Sequence, residues 1–131
     1  MPIAGEGGHV SLTASTQHEF AAIQQLQKRY GHVSAERVIS GAGLVDLYHA
    51  LCDLKEGHGR EITTPAEVLE RAHEVPTSTA NEALAMFCGF LGSVAGDLAL
   101  TLGARGGIYI GGGIVPRMGE RFASSPFRER F

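Results

Sequence analysis

Between Ser78 and Leu102 the chain carries only two charges, Glu82 and Asp97. Along that stretch Leu84, Phe87, Cys88, Leu91, Val94, Ala95, Leu98 and Leu102 recur at helical spacings. A helix this apolar must be largely buried, so other elements have to wrap around it. Gly89, Gly92 and Gly96 lie inside it at spacings of three and four. Each costs a helix about 1 kcal/mol relative to alanine. Close packing against another element would offset that cost.

The remaining pattern supplies the wrapping. Phe20, Ile23, Leu26 and Tyr30 define a helix over 15–30, and "STQHE" offers a Ser or Thr cap followed by a Glu. "SGAG" breaks the chain before a second helix over 44–54, with Leu44, Leu47, Tyr48 and Leu51 on one face. "KEGHGREI" reads as a polar loop. Thr64 opens a third helix with Pro65 at its first position, where a missing N–H costs nothing. Its apolar positions are Ala66, Val68, Leu69 and Ala72. After the long helix, "GGIYIGGG" is the strongest strand pattern, and residues 7–13, "GGHVSLT", read as a weaker one. "IVPRMGERFAS" and "SPFRERF" each begin a further helix. One or two strands for about five helices is a helix-rich balance, and a lone strand cannot satisfy its own edges.

Composition narrows the function classes. The 131 residues suit one modest domain, 44% hydrophobic and 19% charged, hence globular. A net charge of −3 with scattered basic residues argues against nucleic acid and anionic membrane as partners. No apolar run approaches the ~18–20 residues of a membrane span. No basic segment followed by an apolar one opens the chain, so no signal peptide is expected. Cys52 and Cys88 fall in apolar helical patterns and read as buried cytosolic thiols. The histidines His18, His32, His49, His58 and His73 show no zinc spacing with cysteine.

Glycine numbers 18, about twice ordinary usage, and is grouped in "GEGG", "SGAG", "GARGG" and "IGGGI". Such groups mark sharp turns or close backbone approach to a ligand. In "GEGGHV", Glu6 and His9 could exchange hydrogen bonds with a polyol. Local pattern alone favours a flexible acidic terminus there. It likewise favours a surface charge for Glu36, which stands beside Arg37 in "SAERV". "IGGGIVP" combines a strand, a glycine turn and a helix start, a place for phosphate or sugar. It is neither a dinucleotide fingerprint nor a P-loop. No Ser-His-Asp arrangement or G-x-S-x-G motif is visible.

Taken in order, the pieces are more specific than any of them singly. "GEGGHV", "GHVSAERVISGAGLVDLYHAL", "ITTPAEVLERA", "GDLALTLGARGGIYIGGGIVPR" and "SPFRERF" together resemble the C-terminal half of bacterial glucokinases of the proteobacterial type. The resemblance covers nearly all of the chain. It implies an α/β, helix-rich part of the large domain of the actin-like ATPase (ribonuclease H-like) fold, with residues 1–131 a single partial domain. It implies transfer of the ATP γ-phosphoryl group to the 6-hydroxyl of glucose, with Mg2+ accompanying ATP, in a cytoplasmic enzyme that is commonly a dimer. It assigns glucose contacts to Glu6, His9 and Glu36, and the adenosine side of the nucleotide site to Gly111, Gly112, Gly113 and Ile114. The family's general-base Asp, its phosphate loops and its final segment have no counterpart here. No catalytic residue and no metal ligand is therefore assigned to this chain, Met1 reads as an artificial, processed or internal start, and the chain alone is expected to be inactive. The cysteine-rich zinc motif of the related repressor and sugar-kinase family is absent from the sequence.

Two other readings compete. One is a non-catalytic helical binding or oligomerisation module derived from a sugar kinase. Joint retention of Glu6, His9 and Glu36 disfavours it, since a module without sugar binding need not keep all three. The other is a kinase for a different sugar, which "SAERVISGAGLV" disfavours.

Overall fold

The computed structural model describes residues 4–55 and 61–131. Among the described residues eight helices are formed: α1 (Gln17–Tyr30), α2 (Ala35–Val38), α3 (Gly41–Leu54), α4 (Pro65–Glu74), α5 (Thr79–Leu102), α6 (Ile114–Met118), α7 (Glu120–Ala123) and α8 (Phe127–Arg130). A short 3-10 turn at Gly7–His9 precedes them. Most of the polar loop expected at 55–62, including His58, lies outside the described residues.

Side-chain caps start the first five helices where the sequence offers them. Thr16, Ser34, Ser40, Thr64 and Ser78 each accept a hydrogen bond from the backbone N–H three residues on. Such a cap stabilises a helix by about 1 kcal/mol. Thr64 Oγ1 also donates to Glu67 Oε1 at 2.8 Å, and Pro65 takes the first turn of α4 as expected.

α5 lies at the centre, with α3, α4 and α8 against it, while α1 and α2 pack on α3. Phe90, Leu44, Leu47, Leu51, Val38, Val68 and Cys88 are fully enclosed. Cys52 is buried as well, and both thiols are free. Burial pushes both thiols up, which suits them to packing and not to nucleophilic chemistry.

The glycines of α5 have the close neighbour they require. A Cβ on Gly92 would stand 2.4 Å from the Phe127 carbonyl oxygen, and one on Gly96 would stand 2.6 Å from that of Phe131. The backbone of α8 therefore lies directly on this stripe. Arg130 of α8 then reaches past Gly89 to Glu19 of α1, with Nη2 3.1 Å from Oε1 and Nη1 on Oε2. Glu19 is the one buried charged side chain among the described residues, and this pairing compensates it.

Several expectations are corrected. Neither strand forms: among the described residues there is a single antiparallel bridge, Ser11 to Ser34. Residues 7–9 wind into a turn instead, and 106–113 have no neighbouring strand to complete a ladder. The end of α5 is not buried, since Leu100 is 84% and Leu102 73% exposed. Phe20 and Ala66 face solvent. The helix expected in "IVPRMGERFAS" breaks at Gly119, whose φ is +57°, into α6 and α7. α5 also reaches the length and apolarity of a membrane span, with a mean hydropathy of 1.7 over its most apolar window, contrary to the sequence reading. Over half of that window is buried by neighbouring helices, as befits a core helix.

Candidate functional site

The Ser11–Ser34 bridge brings two distant segments together. Leu12 N–H donates to Val33 O at 3.0 Å and Ala35 N–H to Val10 O at 2.8 Å. Ser11 Oγ and His32 Nε2, 2.9 Å apart, add a side-chain tie. α2 starts at once from the Ser34 cap and buries Ala35 and Val38. That orientation leaves Glu36 on the outer side, facing the Gly7–His9 turn.

Three of the expected site residues thus meet. His9 Nε2 lies 2.9 Å from Glu36 Oε1 and 3.7 Å from Glu6 Oε2. All three side chains are well exposed. Gly8 leaves room for the arrangement: a Cβ there would stand 2.8 Å from Glu36 Oε2 and 3.0 Å from Glu36 Cβ. Two carboxylates flanking an imidazole form a set of acceptors with one adaptable donor. Vicinal hydroxyls of a polyol match that set.

The support beneath Glu36 lies outside what the motifs displayed. The Arg37 guanidinium sits 4.1 Å from the Tyr30 ring centroid. Tyr30 donates its phenolic O–H to Asp46 Oδ2 at 2.6 Å, and Arg29 Nη1 donates to Asp46 Oδ1 at 3.1 Å. Burial, and then the Asp46 carboxylate, hold the Tyr30 phenol above its ordinary pKa. A groove of about 360 Å³, lined by residues that include Ser34, Glu36, Arg37, Ser40 and Asp46, opens beside this set.

Gly111, Gly112, Gly113 and Ile114 form a separate feature, the turn into α6. Gly112 has φ +106°, a conformation that disfavours side chains, and a Cβ on any of the three glycines would meet nothing within 4 Å. The turn is open to solvent, and Ile114 packs against the core. α6 is only five residues long, so the dipole expected from a helix start contributes little here.

An exposed carboxylate–imidazole–carboxylate set carried on a helical domain is what fold and geometry define. The chain belongs to the glucokinase family, whose model, described as Glucokinase, matches residues 1–131. It is 54% identical to the glucokinase of Nitrobacter hamburgensis over 98% of this chain and 40% of that protein. It is 51% identical to the glucokinase of Chromobacterium violaceum, over 98% of this chain and 37% of that one. Its structure superposes with a TM-score of 0.90 on the crystal structure of a glucokinase from an Antarctic psychrotroph. That match has 41% identity and covers 98% of this chain and 39% of the other. The chain thus spans about 40% of the length of these relatives.

Proposed function

We propose that this chain is the glucose-holding part of an ATP-dependent glucokinase, which phosphorylates D-glucose to glucose 6-phosphate at the entry to glycolysis. The observation that carries the reading is the meeting of Glu6, His9 and Glu36 across the Ser11–Ser34 bridge. In this reading the carboxylates accept sugar O–H donors and His9 fixes their relative position. Gly111, Gly112, Gly113 and Ile114 lie on the adenosine side of the nucleotide. The domain is part of the large domain of an actin-like ATPase fold, and the enzyme is a cytoplasmic homodimer. Membership of the glucokinase family supports ATP and glucose as substrates.

Mg2+ would accompany the nucleotide phosphates. Among the described residues no three His, Cys, Asp or Glu side chains group as a cation site. Phosphoryl transfer rests on positioning and charge stabilisation. The part this chain plays in that reading is to orient the sugar.

The test is an amide NMR titration of the chain with glucose, with galactose as the control. Shifts centred on Glu6, His9 and Glu36 are expected with glucose. Glu36→Gln should weaken the response about tenfold, the worth of a charge-assisted hydrogen bond. An unchanged response in Glu36→Gln would refute the assignment. Exposed Leu100, Leu102 and Tyr109 favour a second reading, self-association of a non-catalytic helical module. Sedimentation analysis showing a stable oligomer indifferent to glucose would select it.

A further inference from the structure

Glu36 sits on a one-turn helix that cannot hold its own direction, because an isolated turn is marginal. Something outside α2 must fix it. Two features do so. A Cβ on Gly43 would stand 2.3 Å from the carbonyl oxygens of both Arg37 and Val38, so α2 is seated directly on the backbone of α3. The neighbouring Arg37 side chain extends over the Tyr30 ring of α1. Tyr30 is in turn tethered through its hydroxyl to Asp46 of α3, and Arg29 holds the second oxygen of that carboxylate.

We propose that Arg37, Tyr30 and Asp46 form a positioning clamp that fixes α2 so that the Glu36 carboxylate stands against His9 in the sugar half-site. The consequence for sugar affinity rests on the glucose reading of Glu36; the clamp itself does not. None of the three residues need touch the sugar. They act by setting the direction in which Glu36 leaves α2. Arg37 contributes through a cation over a ring, Tyr30 through its ring face and its O–H, and Asp46 by holding the Tyr30 hydroxyl.

The clamp makes a demand that a merely stabilising contact would not. Removing the cation should separate Glu36 from His9 while helix content stays the same, and a different cation should restore the pair. The experiment is a nuclear Overhauser measurement between the His9 ring and the Glu36 side chain. It would be made in the wild-type chain and in Arg37→Gln, Arg37→Lys and Tyr30→Phe, with glucose titrations alongside and circular dichroism to confirm folding.

In Arg37→Gln the contact should be lost and glucose binding weakened about threefold, in keeping with an exposed cation–ring interaction. Arg37→Lys should restore most of both. Tyr30→Phe keeps the ring but frees it from Asp46, so it should weaken the contact in the same direction by a smaller amount. A full-strength His9–Glu36 contact in both Arg37→Gln and Tyr30→Phe overturns the clamp. So does failure of Arg37→Lys to restore it. Glu36→Gln separates the two ideas. If it leaves the glucose response intact, the sugar reading falls, while the His9–Glu36 contact in the other variants still decides the clamp.

Discussion

Residues 7–13 and residues 106–113 have much in common: glycines, β-branched residues and few charges. Their fates differ. The first segment is tied at Val10 and Leu12 to Val33 and Ala35 by backbone hydrogen bonds, and it carries His9 to Glu36. The second runs irregularly between Gly103 and α6, with Tyr109 98% exposed. Extended backbone becomes a defined structure only where a second segment accepts its hydrogen bonds. Here the partner is supplied by the chain around Ser34 for one segment and by no neighbouring strand for the other.

Glycine substitutions sharpen the contrast, because glycine serves different ends in the packed and the open regions. Gly92→Ala should have the largest effect, about 2–3 kcal/mol of lost stability, since its Cβ would overlap the Phe127 carbonyl and force α8 off α5. A denaturant midpoint within error of wild type would show that α8 is not seated there. Alkali should come next. Burial pushes the Tyr48 phenol up to about 12 from its usual 10. The folded state therefore keeps a proton that the unfolded chain releases. Stability is intact below pH 10 and falls as pH rises toward 12, by up to about 2–3 kcal/mol. Thermal melts of wild type against Tyr48→Phe should diverge only above pH 10, and parallel curves would show the phenol is not enclosed.

In the open region the same kind of change should do less. Gly112→Ala meets no atom but must adopt φ +106°, which costs about 1 kcal/mol or somewhat more. Gly111→Ala has neither constraint and should fall within about 0.5 kcal/mol of wild type. Equal effects from these two variants, measured by chemical denaturation, would mean that the turn into α6 is not held as described. Smallest of all, Tyr109→Ser should leave the melting temperature unchanged. A marked loss would reveal that 106–113 is covered in solution, and the contrast between the two segments would fail.

Much of the helical framework was legible beforehand. Thr16 and Thr64 announced their helices because capping is local chemistry, complete within four residues. Gly89, Gly92 and Gly96 announced a close neighbour because their spacing leaves one helix face without side chains, although that the neighbour is α8 was not readable. Glu6, His9 and Glu36 were legible through family resemblance. No spacing rule would pair His9 with a residue so far along the chain. The Arg37–Tyr30–Asp46 support was not legible at all: Tyr30 reads as one more apolar position of α1 and Arg37 as a surface charge. Glu19 hides in the same way, as an ordinary first-turn acid until α8 brings Arg130 to it.

The amino-acid sequence by itself determined roughly where the main helices begin, that α5 must be central, and that both thiols are inside. Each follows from local hydrogen bonding or from the period of apolar residues. Only the tertiary structure decided which β-like segment found a partner, that α5 would end exposed at Leu100 and Leu102, and that Glu36 would face His9 on a turn seated against Gly43. Those outcomes depend on contacts between residues distant in the chain. Their energies appear only when the segments are already side by side.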